Sequence, residues 1–317
     1  MELFKPCYNA RLMKNYEDLI VQIIAQTQKI IIGKELQVRL SLAAFLSHSH
    51  VLIEDIPGVG KTTLAKTLAH VFGLHYSRIQ FTSDLLPSDI IGVNFYSTKD
   101  ATFSFKKGPI FSQFLLADEI NRASSKTQSA LLEAMEEKQV SVDGEAYKLP
   151  APFFVIATKN PFEEVGTYEL PSSQLDRFAI SFSLGYPDVL AEREILSANI
   201  KYSLDDLASL TQEERELLQK KFGEVYASEA ILDLLQEILK FTRESALYVR
   251  GLSTRAAITL LNISKAWALL SLRDYVIPSD MLEVLPFVTH HRLESRHERK
   301  TPSEIVDEIV KNLHIDT

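Results

Sequence analysis

Between residues 54 and 63 the chain reads EDIPGVGKTT, and these residue types at this spacing suit the cradling of a nucleotide's phosphates. Glycine lets the backbone curl with its N–H groups facing inward, and Gly58 and Gly60 supply that freedom on either side of Val59. Lys61 is spaced to reach the terminal phosphates, the Thr62 hydroxyl to ligate Mg²⁺, and Thr63 follows on the entering helix. One departure stands out: the pattern GxxxxGK[ST] wants glycine where this chain has Asp55, so the turn there must accept a side chain. A solvated turn has a similar composition, but here an apolar strand precedes the loop and an amphipathic helix follows it.

A second chemical signal is FLLADE at residues 114–119, an apolar strand ending in two carboxylates. About sixty residues after a phosphate loop, such a pair allows two roles. Asp118 is the candidate to hold Mg²⁺ through its water shell, and Glu119 to orient an attacking water or accept its proton.

Elements able to position these groups are readable around them. A helical stretch near 35–48 leads to the strand VLIE at 51–54, then to the helix TTLAKTLAHVF at 62–72, with Gly73 as its stop. Further strands are expected at HYSRIQF, FLLAD, FFVIAT and AISFSL, with helical patterns between several of them, KTQSALLEAMEEK included. That alternation predicts an α/β domain with a largely parallel sheet over residues 1–185. Residues 186–317 lose the strand pattern and show helical periodicity in EREILSANI, SEAILDLLQEILKFTRESA, STRAAITLLNISKAWALLS and PSEIVDEIVKNLH, which predicts an all-helical second domain. Two β-hairpins are expected as insertions, at 92–111 and, turning on Asp143-Gly144, at 139–149.

The chain's 317 residues exceed what one core usually organises, in keeping with two domains. Its net charge of -8 disfavours broad nonspecific attraction to nucleic acid or anionic membrane. Cys7 is the only cysteine, which rules out an intramolecular disulfide and suits a reducing compartment, so a cytoplasmic protein is expected. No apolar run reaches the roughly 18 residues of a membrane span, so no membrane insertion is expected. His290, His291 and His297, near Arg292, Arg296, Arg299 and Lys300, read as a solvated basic helix end, and Trp267 as part of a helical core face.

The block DEINRASSKTQSALLEAMEEKQVSVDGEAYKLP resembles the corresponding block of the MoxR family of AAA+ ATPases, as do FTSDLLPSDIIG, ATKNPFEEVGTYELPSSQLDRF and GLSTRA. The resemblance runs from about residue 30 to about residue 300. It implies a Mg²⁺-dependent ATPase with ATP and Mg²⁺ as cofactors. Asn160 would be the first sensor, contacting the terminal phosphate or the lytic water. Arg177 would be an arginine finger acting on the neighbouring subunit's ATP, and Arg255 a second sensor on the lid, in cis or in trans. Taken alone, Asn160 would read as a turn residue, Arg177 as an ordinary ion pair, and Arg255 as a solvated helix start. Ile31, Ile32 and Gly33 stand where such proteins contact adenine, although an apolar triplet of this kind is more often packing. The family also implies a homo-oligomeric ring, a hexamer, that remodels or matures protein complexes, often with a partner carrying a von Willebrand factor A domain. Its two hairpins would face clients, with Phe95, Tyr96, Lys106 and Lys107 as contacts. Two alternatives from other classes are a nucleotide-dependent scaffold with little turnover and a chelatase-like or nucleic-acid motor subunit. Intact Glu119 and Arg177 disfavour the first, and the acidic charge disfavours the motor.

Overall fold

The computed structural model describes residues 15–98, 102–161, 166–197, 202–296 and 301–313. In chain order, α1 (Tyr16–Gln28) and α2 (Glu35–Leu46) lead into β1 (Val51–Glu54), α3 (Lys61–Val71), β2 (Tyr76–Gln80) and the short α4 (Pro87–Ile91). A hairpin of β3 (Gly92–Ser97) and β4 (Thr102–Lys107) precedes β5 (Phe114–Asp118), α5 (Ser125–Glu137) and a second hairpin of β6 (Gln139–Val142) and β7 (Glu145–Lys148). Strand β8 (Phe154–Lys159), the one-turn α6 (Ser172–Leu175) and β9 (Ile180–Phe182) complete the α/β part. Helices α7 (Val189–Leu196), α8 (Gln212–Glu224) and α9 (Glu229–Glu244) follow, then β10 (Tyr248–Arg250), α10 (Thr254–Leu270), α11 (Pro278–Thr289), β11 (Glu294–Ser295) and α12 (Pro302–Leu313).

The main sheet has the order β2-β5-β8-β1-β9 with every pairing parallel. Its inner strands β1, β5 and β8 are largely apolar on both faces because helices cover both, and alternate residues feed two cores. Val51, Ile53, Leu116, Phe154 and Ile156 face one core, and Leu52, Leu115, Ala117 and Val155 the other. The chain leaves β1 for distant β2 and returns to β1's other side as β9. A topological switch point therefore opens a crevice at the carboxyl end of β1, where the phosphate loop lies.

The first core runs on into the helical part, where α10 packs on α2 and α11 on β9. Trp267 is buried there, as its helical spacing predicts, and donates its indole N–H to Glu283 at 2.5 Å. The helical part also carries one short antiparallel pairing, Tyr248 with Ser295 and Arg250 with Glu294, too brief for a period-2 signal. Helix α1 buries Leu19, Ile20, Ile23 and Ile24 and was not anticipated from sequence.

Both hairpins form as expected, with Asp143 and Gly144 at positive φ in the second turn. They join one another: Asn94 donates to Asp143 at 2.7 Å, and Phe105 stacks on Tyr147 with ring centroids 4.2 Å apart. Phe95, Tyr96 and Phe103 are exposed on the first hairpin, as are Lys106 and Lys107, while residues 99–101 of its tip lie outside the described residues.

His50, just before β1, is buried. Its Nδ1 accepts from the Val155 N–H at 3.1 Å, and its Nε2 faces the Met135 carbonyl at 3.4 Å, so the ring sits as a neutral imidazole. Burial, with a smaller push from Lys138, lowers its pKa to about 4. An unfolded chain takes up this proton near pH 6.5 and the folded one only near 4, so stability is retained above 6.5 and lost as pH falls toward 4, by about 3 kcal/mol in all. Urea midpoints of wild type and His50→Gln at pH 7.5, 6 and 5 should differ in slope, the variant losing less on acidification. Equal slopes would mean that His50 is not the acid-sensitive group.

Candidate functional site

The phosphate loop owes its shape to two left-handed glycines, Gly58 at φ 85 and Gly60 at φ 95. A Cβ at either would meet no atom within 4 Å, so backbone conformation, not crowding, demands glycine there. Gly60 precedes α3, whose first turn presents Lys61, Thr62 and Thr63 with the positive end of the helix behind them. The Lys61 ammonium arches across the loop to the carbonyls of Asp55, at 2.6 Å, and Ile56, at 3.0 Å.

Asp55, where the sequence pattern wants glycine, needs no left-handed backbone. Its buried carboxylate accepts from the Ile56 N–H at 2.8 Å, the Ser183 hydroxyl at 2.9 Å and the Gly185 N–H at 2.7 Å. The phosphate loop is thereby fastened to the segment that leads from β9 to the helices. Lys34 grips the same segment, donating to the carbonyls of Leu184 and Tyr186 at 2.6 and 2.8 Å.

Beside Gly58, Val59, Gly60 and Thr63 opens a cavity of about 450 Å³. Ile30, Ile31, Ile32, Leu184, Tyr186 and Pro187 make its apolar wall, and Ile195 and Leu196 of α7 close it from the helical side. An anion-binding loop joined to an apolar slot fits a phosphorylated aromatic ligand. A roomier cavity of about 600 Å³, near Pro150, Phe153 and Arg215, lies at the opposite end of the strands, away from the loop.

The acid pair sits at the end of β5. Asp118 is nearly buried, and its Oδ1 accepts from the Thr158 hydroxyl at 2.6 Å. Its Oδ2 takes a forked contact from Arg78, 3.2 Å to Nε and 2.6 Å to Nη2. Glu119 has left-handed backbone, φ 56 and ψ 49, unusual for a residue with a Cβ. The Thr158 hydroxyl accepts its N–H at 2.9 Å, and its carboxylate accepts from Gln80 at 2.8 Å and Arg122 at 3.0 Å. Among the described residues no cluster of three or more His, Cys, Asp or Glu could hold a metal alone. A hydroxyl and a carboxylate completed by phosphate oxygens form the donor set that suits Mg²⁺, so Thr62 and Asp118 fit that ion. Asn160 is buried at the end of β8, which pairs with both β1 and β5 and places it between the loop and the acids.

Arg177 and Arg255 come together, away from the cavity over their own phosphate loop. The Arg177 Nε donates to Glu136 Oε2 at 2.8 Å, and Arg255 Nη2 donates to the other oxygen of the same carboxylate. Segment 176–179 is tied to the helical part. Arg292, almost fully buried, donates to Asp176 Oδ1 at 2.7 Å and to the carbonyls of Phe178 and Ala179 at 2.6 and 2.9 Å. His291 reaches the Phe178 carbonyl at 2.9 Å, and the Ser253 hydroxyl donates to Asp176 at 3.0 Å. The expectation of a solvated basic helix end is therefore corrected for His291 and Arg292, whose side chains are buried against carbonyls of the loop before β9. His297, Arg299 and Lys300 lie outside the described residues.

Sequence reading missed Arg78, Gln80, Arg122, Glu136, Thr158 and Arg292. Only β2 carried a signal: Arg78 and Gln80 alternate onto one face of the strand and pair in register with Leu116 and Asp118.

Residues 50–180 match the model of the ATPase family associated with various cellular activities (AAA), and residues 240–309 that of the AAA lid domain. The chain is 43% identical to the uncharacterized protein YeaC of Bacillus subtilis, over 93% of each chain. It is 39% identical to the chaperone MoxR1 of Mycobacterium tuberculosis, over 93% of this chain and 80% of that one. A crystal structure of a presumed ATPase from Cytophaga hutchinsonii superposes with a TM-score of 0.86 at 36% identity, covering 95% of this chain and 96% of that one. With a five-stranded parallel sheet, a glycine loop opening on an apolar slot and a helical lid behind it, the chain belongs to the MoxR family of AAA+ ATPases.

Proposed function

We propose that this ATPase works as a head-to-tail ring in which each phosphate loop is completed by the arginines of the next subunit. The supporting observation is that Arg177 and Arg255 meet at Glu136, while the lining of the cavity at Gly58 and Gly60 includes neither. This favours trans action for Arg255, which the sequence left open. Domains divide near residues 185 and 186, where Asp55 and Lys34 hold the connecting segment. The loop N–H groups at Gly58, Val59 and Gly60 cradle the phosphates of ATP, Lys61 exchanges its carbonyl contacts for terminal phosphate oxygens, and Thr63 lies at the adjoining wall. Thr62 and Asp118 hold Mg²⁺, which when bound offsets phosphate charge. Glu119 takes the proton of the attacking water, with Asn160 beside it. Assembly then switches turnover on, because transition-state charge is met only across an interface.

The output fits a chaperone that remodels or matures a protein client, in keeping with the similarity to the chaperone MoxR1. The coupled hairpins, with Phe95, Tyr96, Lys106 and Lys107, form the client face; six subunits and a partner with a von Willebrand factor A domain are the assembly the family resemblance favours. The acidic charge argues against nucleic acid, no described helix is long and apolar enough to cross a membrane, and the single cysteine suits the cytoplasm.

Turnover per subunit with Mg²⁺, measured against protein concentration, tests the assembly. It should rise with concentration to a plateau that coincides with ring formation by mass. A turnover number independent of concentration across the monomer-to-ring range would remove the trans reading.

A further inference from the structure

We infer that Glu136 is a positioning residue: its one carboxylate gathers Arg177 and Arg255, from two different domains, into a pair aimed at the neighbouring subunit's triphosphate. The inference rests on the trans-arginine reading above and assigns a role to a residue outside the phosphate site.

Glu136 closes the last turn of α5 and offers one oxygen to each arginine. Two guanidinium groups brought this close repel each other, and a shared carboxylate between them removes that penalty while fixing both planes. Burial alone would raise the Glu136 pKa, yet the hydrogen bonds and charges of Arg177 and Arg255 hold it below the usual carboxylate range, so it stays ionised at neutral pH. The arginines are not exhausted by the contact. Arg177 uses Nε for Glu136 and Nη1 for the Ser173 carbonyl at 3.3 Å, and Arg255 uses Nη2. A guanidinium has five N–H donors, so donors remain on both for a phosphate.

A bridge of this kind contributes little as a stabiliser, because the Arg255 side chain is 49% exposed and Glu136 33% exposed. Its consequence lies in placement. Arg177 enters from a loop of the α/β part that Arg292 and Ser253 bind to the helices, and Arg255 enters from the first turn of α10. Glu136 is thus the point at which sheet domain and lid agree on where the two cations stand.

The test uses the full chain with ATP and Mg²⁺. Glu136→Gln, of the same shape but neutral, should lower kcat by about 10- to 100-fold, as misplacement of a catalytic group by about an ångström does, with KM for ATP within about twofold. Glu136→Asp, charged but too short to reach both arginines, should fall between the two. Mixed rings then separate finger placement from a merely structural role. Glu136→Ala subunits mixed with Glu119→Gln subunits should regain turnover above either alone, since the second supplies intact arginines to the first one's competent site. Arg177→Ala mixed with Glu119→Gln should recover likewise, and Glu136→Ala mixed with Arg177→Ala should not. If Ala fails to assemble, the Gln variant carries the same mixtures. Wild-type kcat in Glu136→Gln, or no recovery with Glu119→Gln where Arg177→Ala does recover, overturns the role of Glu136 alone. Wild-type turnover in Arg177→Ala overturns the trans reading, and this inference with it.

Discussion

Arg177→Ala should assemble and bind ATP like wild type while its turnover falls by about 10³- to 10⁵-fold, the range set by arginine fingers on phosphoryl transfer. The side chain makes no contact in the cavity beside its own loop, so truncating it should leave ATP affinity intact. Its removal also frees half of the Glu136 carboxylate, leaving Arg255 as sole partner, and the surface exposure of the trio makes that a small loss of stability. Arg177→Lys should rescue poorly. The guanidinium holds Glu136 with Nε and the Ser173 carbonyl with Nη1 and still keeps further N–H donors, whereas a lysine ammonium is a single point that cannot do all three. Steady-state turnover, ATP affinity by fluorescence titration and ring mass, taken on one preparation, decide the matter. A fall in affinity matching the fall in turnover would place Arg177 in ground-state binding, and unchanged turnover would return it to an ordinary ion pair.

Much of this arrangement was legible because local patterns carry it. The phosphate loop needs glycines followed by Lys61 and Thr62, and those constraints are written within ten residues. Strands β1, β5 and β8 are buried on both faces, so they read as unbroken apolar runs. What escaped depends on pairing across the chain. Glu136 reads as one acid in an amphipathic helix until Arg177, 41 residues on, and Arg255, 119 residues on, fold against it. Arg292 reads as a solvated cation until the loop before β9 presents the carbonyls of Phe178 and Ala179 to it. Asp55 reads as a defect in a glycine pattern, and only the fold reveals that its carboxylate binds Ser183 and Gly185, 128 and 130 residues away. Burial turns such polar residues into fixed points, because each must find partners when water is removed, and sequence spacing does not state which ones.

Glu119→Gln should still bind ATP but hydrolyse it about 10²- to 10⁴-fold more slowly, the usual contribution of a positioned general base. The substitution is nearly isosteric, and an amide oxygen can still accept from Gln80 and Arg122, so the strained backbone at φ 56 should persist. Chemistry alone is then removed, and the ATP-bound ring should accumulate and be isolable by gel filtration with nucleotide attached. In the resting chain the Glu119 carboxylate is occupied by Gln80 and Arg122, while Arg78 neutralises its neighbour Asp118. In the roles proposed for them, Glu119 would turn from these partners to activate water, and Asp118 would exchange Arg78 for the ion. Near-wild-type turnover in Glu119→Gln would move the base elsewhere; rapid loss of bound ATP without hydrolysis would assign the carboxylate to nucleotide retention instead.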